Sequence, residues 1–120
     1  MNTSRIINFL NPGAHLPLND FYSTQPWAYQ FPKPSIEELQ RAEFPAELAY
    51  RIQRIKEEAG ERILAVAPQY RQNNAALELY TAEKVQAIKD AINAIRIASD
   101  EAESAVSSMT VLSNVIDFKW

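Results

Sequence analysis

Beyond Thr81 the chain repeats one apolar pattern. Val85, Ile88, Ile92, Ile95, Ser99, Ala102, Val106 and Met109 follow one another at intervals of 3, 4, 3, 4, 3, 4 and 3 residues. Only a helix gathers such positions on one face, and a strict heptad over about four repeats predicts a coiled-coil seam. Thr81 suits the N-cap and Glu83 the first turn, so the pattern predicts a helix over 81–110. At about 1.5 Å per residue it is roughly 42 Å long, a rod rather than one element of a compact globule. Ala87, Ala91, Ala94, Ile97 and Ala98 widen the stripe beside the seam. Isoleucine or valine at both seam positions favours three or more chains over two. The seam is therefore the expected oligomer interface, at Val85, Ile88, Ile92, Ile95, Ala102, Val106 and Met109, with a trimer favoured.

A second stripe lies upstream. Leu48, Ile52, Ile55, Ala59, Ile63, Val66 and Tyr70 are spaced 4, 3, 4, 4, 3 and 4 residues apart, with one irregular step near Gly60. Arg51, Arg54, Lys56, Glu57, Glu58 and Glu61 form a solvated face opposite. Ser35 and Glu38 have the spacing of a capping box, which predicts a short helix over 35–43. Pro45 then suits the first turn of a new helix. Pro68 removes a backbone donor and clashes with the preceding turn. The chain either stops near Ala67, with Asn73-Asn74 in a connector over 68–81, or kinks and continues to Leu79 before turning at Leu79-Tyr80-Thr81. The second reading is preferred, since Tyr70, Leu77 and Tyr80 stay near the stripe. The expected fold is mainly α: a long antiparallel helical hairpin or coiled coil, with a kinked helix over 45–79.

Residues 1–34 are of another kind. They hold five of the seven prolines and six of the twelve aromatics, but only three charges, Arg5, Asp20 and Lys33. Dense prolines fix extended or turn backbone. An extended arm with large aromatics needs a surface to lie on, in its own chain or in a partner. Arg5-Ile-Ile-Asn-Phe-Leu10 has the composition of a short strand. The C-terminal stretch 111–120 is β-branched and aromatic, which suits a docked tail or a short strand. The expected partner-docking residues are Phe9, Phe21, Tyr22, Trp27, Tyr29, Phe31, Phe118 and Trp120.

Arg51-Ile52, Glu58-Ala59-Gly60, Arg62-Ile63-Leu64-Ala65, Ala67-Pro68, Arg71-Gln72-Asn73, Ala94-Ile95-Arg96 and Ser99-Asp100 carry a resemblance. Tyr70 stands where an aromatic is usual. Together these residues resemble a recurrent module of small helical-hairpin proteins of tailed bacteriophages and prophages. The resemblance covers about residues 47–103, and the aromatic arm lies outside it. It implies a place in a tail, baseplate or tail-fibre module, in the virion and, during assembly, in the host cytoplasm. It implies no enzymatic activity.

Composition adds exclusions. The net charge of −3 carries no electrostatic footprint for nucleic acid. Cysteine is absent, so there is no disulfide or thiolate chemistry. No apolar run is long enough to span a bilayer, and the first residues lack the pattern of a cleaved leader. His15 has no acidic residue within four positions and reads as a surface or packing residue. Two carboxylate clusters, at Glu57, Glu58 and Glu61 and at Asp100, Glu101 and Glu103, read as solvated helix faces rather than metal sites. Two glycines cannot build a phosphate loop. No cofactor, metal or catalytic residue is expected.

The leading expectation is a non-enzymatic structural component of a phage tail, a tail-fibre or baseplate adaptor. It would oligomerise through its helices and dock on other tail proteins through its arm. The alternatives are a tail-fibre assembly chaperone absent from the mature virion and an unrelated coiled-coil regulator. Ile92→Asp places a charge in the seam and is expected to abolish self-association, read by sedimentation. An unchanged mass in that variant removes the seam as the interface.

Overall fold

The computed structural model describes residues 1–12 and 32–120 of the chain. The described residues are mainly helical and contain no strand. Five helices follow in order: α1 (Thr3–Leu10), α2 (Ile36–Val66), α3 (Gln69–Ala76), α4 (Ala82–Ser107) and α5 (Leu112–Asp117). The chain divides into two compact units. One comprises Met1–Arg51 with Met109–Phe118, the other Ile52–Ser108 with Lys119–Trp120. Helix α2 contributes residues to both.

In the first unit the structure corrects the reading of residues 3–10 as part of an extended arm. They form α1, and its start was present in the sequence: the Asn2 side chain accepts a hydrogen bond from the Arg5 backbone N–H at 3.0 Å. Ile6 and Ile7 are fully buried, at three- and four-residue helical reach from Thr3, which is buried too. Six residues of mixed composition fit a strand and one amphipathic helical turn equally well, and here burial decides for the helix. Pro12 stands beyond the helix end, where a proline is common.

Helix α2 begins as expected. The Ser35 Oγ accepts from the Glu38 N–H at 3.2 Å, and the Glu38 carboxylate accepts from the Ser35 N–H at 3.1 Å, closing a capping box. The expected restart at Pro45 does not occur, and α2 runs through it. The proline withholds one hydrogen bond from the Arg41 carbonyl. Burial of Leu39, Ala42, Ala46 and Glu47 on both sides of it holds the helix continuous. The irregular step near Gly60 does not interrupt α2 either.

A charged cluster ties α1 to α2. Arg5 Nη1 donates to Glu47 Oε2 at 2.6 Å, and the guanidinium lies 3.5 Å from the Tyr50 ring centroid. Glu47 is only 3% exposed, so its charge is tolerable only with this partner. From α2, Arg51 Nη2 donates to the Ile116 carbonyl at 2.7 Å, engaging one of the carbonyls at the end of α5. The expected tail or short strand over 111–120 is thus replaced over Leu112–Asp117 by α5, whose Val115 is fully buried. A β-branched segment with no neighbouring strand edge satisfies its backbone internally, as a short helix.

The second unit holds a pair of long helices. In α2 its buried residues are Ile55 and Ala59, with Ala67 just past the helix end; in α4 they are Ile88, Ser99, Ala102 and Val106. Helix α4 starts where Thr81 predicts: the Thr81 Oγ1 accepts from the Lys84 N–H at 3.2 Å. Trp120 lies over Arg62, 3.8 Å from guanidinium carbon to ring centroid, and its Nε1 donates to Glu58 at 2.8 Å. Arg62 Nη2 donates in turn to the backbone oxygen of Trp120 at 2.7 Å. Arg54 bonds the exposed Glu57, and that bond first, then one from Gln53, holds the Glu57 carboxyl below the usual carboxylate range. Such surface pairs contribute little to stability.

Arg5→Ala leaves the Glu47 carboxylate buried without its partner. It is expected to cost roughly 3 kcal/mol, read as a lowered urea midpoint at unchanged slope. An unchanged midpoint would show the pair to be incidental.

Candidate interaction surface

The corner between α3 and α4 is built by Pro68. Helix α2 ends at Val66, and Pro68 (φ −52°, ψ 155°) stands as the N-cap of α3. Carbonyls at the end of α2 lose their helical partners at this break. Two side chains of α3 replace them: Gln72 Nε2 donates to the Ala67 carbonyl at 2.7 Å and Arg71 Nη1 to the Val66 carbonyl at 3.5 Å. The chain then resumes as a helix, and Asn73 and Asn74 lie inside it. The preferred reading of one kinked helix over 45–79 is corrected: α2 stops at Val66, as the other reading has it, while Asn73 and Asn74 lie in a separate short helix rather than in a connector.

Helix α3 closes on a Schellman motif. The Glu78 N–H donates to the Ala75 carbonyl at 3.2 Å and the Leu79 N–H to the Asn74 carbonyl at 2.9 Å. The motif requires a left-handed residue after the cap. Glu78 fills that place with φ 59°, where glycine is usual. The apolar contact that commonly accompanies the motif is missing: Leu79 is 66% exposed. Asn74 Nδ2 donates to the Tyr80 hydroxyl at 3.1 Å, and Lys84 Nζ lies 4.0 Å from the Tyr80 ring centroid. Polar bonds thus hold the turn, while its leucines face outward.

No residue of α3 is buried. Tyr70 is 64% and Leu77 69% exposed, and Leu64 and Val66 stand in solvent near the break. Between α3 and α4 lies a groove of about 740 Å³. Its apolar wall is Ala75 and Ala76 from α3 and Val85, Ile88 and Ile92 from α4. Gln72, Gln86, Glu78 and Lys89 supply its polar edge. Concentrated exposed apolar surface beside a groove is the usual mark of an interaction site. Among the described residues, no group of three metal-ligating side chains comes together. Among the same residues, no helix is long and apolar enough to cross a membrane.

The structure divides the expected seam. Ile88, Ala102 and Val106 are buried within the chain together with Ser99, while Val85, Ile92, Ile95 and Met109 are partly exposed. Val85, Ile88 and Ile92 come together as one wall of the groove. Among the expected docking residues, Phe9 is exposed on α1, and Phe118 and Trp120 are half-buried. Phe21, Tyr22, Trp27, Tyr29 and Phe31, and also His15, lie outside the described residues. The groove itself was not foreseen. Its sequence signal is faint: three apolar residues, Leu77, Leu79 and Tyr80, crowd a turn that needs only polar ones.

Comparison with protein-family models, curated proteins and solved structures finds no match to this chain.

Glu78→Gly removes the side-chain penalty of a left-handed backbone. It is expected to stabilise the protein by about 1 kcal/mol, read as a raised thermal midpoint. A lowered midpoint would show that the Glu78 side chain has a local stabilising role.

Proposed function

We propose that this chain is a non-enzymatic structural component of a bacteriophage tail, a tail-fibre or baseplate adaptor built on an antiparallel helical hairpin. It assembles with copies of itself through α4 and docks on other tail proteins through its N-terminal region. The observation that supports assembly is the half-covered apolar surface at α3 and α4, with Leu77 and Leu79 exposed and Val85 and Ile92 partly so. A lone subunit gains nothing from such a surface, while burying it in an assembly returns about 25 cal/mol per Å² of apolar area. Exposed Phe9 supports a docking role for the N-terminal region. The tail placement rests on the resemblance of residues 47–103 to phage hairpin modules. The reading assigns no catalytic residue, metal or cofactor.

The second reading is a tail-fibre assembly chaperone, favoured by the same exposed surface if a client covers it only transiently. Mass spectrometry of purified virions from the phage or induced prophage that encodes the chain separates the two. The structural reading expects the chain at fixed stoichiometry with the other tail proteins. Presence in the infected-cell lysate but absence from virions would replace it with the chaperone reading.

A further inference from the structure

The reading of a self-assembling subunit leaves the geometry of assembly open, and the groove supplies it. The far part of the seam is already closed: Ser99, Ala102 and Val106 are buried in the chain's own fold. A continuous four-heptad coil between chains is then not on offer. What remains is the near part, where Val85 and Ile92 are partly exposed and, with the buried Ile88, form the α4 wall of the groove. Leu77 and Leu79 project from the turn beside it, and the turn's usual internal apolar contact is absent. A hollow and a pair of projecting leucines thus sit side by side on one corner.

The charges add a second, independent observation. Glu78 and Lys89 both line the groove, and neither has an ion-pair partner among the described residues. One acid and one base on the same patch make that patch complementary to itself after a two-fold rotation, which is the arrangement an isologous contact requires. Glu78 also holds a left-handed position that glycine would fill with less strain.

We infer that the occupant of the α3–α4 groove is a second copy of this chain. In that two-fold pair the Leu77–Leu79 turn of each copy enters the groove of the other, and Glu78 of each copy meets Lys89 of the other. The inference rests on the self-assembly reading above and replaces the three-stranded seam with a two-fold one.

The test is sedimentation equilibrium of the full chain with the single variants Glu78→Lys and Lys89→Glu and the double variant carrying both. Circular dichroism on each sample confirms retained helicity. The wild type is expected to form a dimer. Each single variant sets like charges against each other at both ends and is expected to weaken association about tenfold or more. The double variant is expected to return to within about threefold of the wild type, because the reversed pair is equally complementary. Wild type that stays monomeric at about 100 μM overturns both this inference and the self-assembly reading. A wild-type trimer, or a dimer whose singles bind normally or whose double is not rescued, overturns the two-fold groove contact alone. Deletion of residues 13–31 that turns a monomer into a dimer would show that the chain's own segment covers the groove, and would overturn the contact in the native protein.

Discussion

A proline cannot donate a backbone hydrogen bond, and at residue 68 that one deficit organises everything around it. Helix α2 ends because its ladder cannot continue through Pro68. The carbonyls released at Val66 and Ala67 are then taken up by Arg71 and Gln72. Because these two side chains belong to the next helix, they also fix where α3 begins. The displaced α3 meets α4 across a groove rather than continuing α2, and the leucines after α3 stay uncovered. Pro45, in the same helix, has no such effect, because buried residues on both sides hold the backbone in line. The two prolines have the same chemistry and differ in what surrounds them.

What could be read in the sequence follows from which signals are local. The capping box at Ser35 and Glu38, the Thr81 cap and the break at Ala67–Pro68 each involve residues within four positions of one another, and each is present as read. The heptad in α4 reported which residues share a face. It could not report what that face meets, since periodicity is the same whether the partner is the chain itself or another copy. Hence Ala102 and Val106, expected between chains, are buried within one. At Arg5–Leu10 six residues are too few for a period to separate a strand from an amphipathic helical turn. The decisive facts, the burial of Ile6 and Ile7 and the Arg5–Glu47 pair, span more than forty residues. The groove was invisible for the same reason, since its walls come from two elements and its turn uses glutamate where the rule of thumb looks for glycine.

The two units differ in how they are held. In the first, a buried carboxylate, a stacked guanidinium and fully buried Ile6, Ile7, Leu39 and Val115 hold the helices together, while Phe9, Leu10, Ile36, Val111 and Ile116 stay exposed. In the second, several of the largest apolar side chains lie at the surface, and short-range polar bonds shape the turn.

Helix α3 has one more consequence. With no buried residue, and with ends held by side-chain amides and an arginine, it is the segment whose local opening is least opposed by burial. Its amide protons should exchange with solvent through a small local fluctuation, well below the free energy that protects α4. Anything that covers the corner would slow that exchange by mass action, without altering the remainder of the molecule. The chain therefore carries its own reporter of occupancy, an eight-residue helix whose exchange rate is set by the company it keeps.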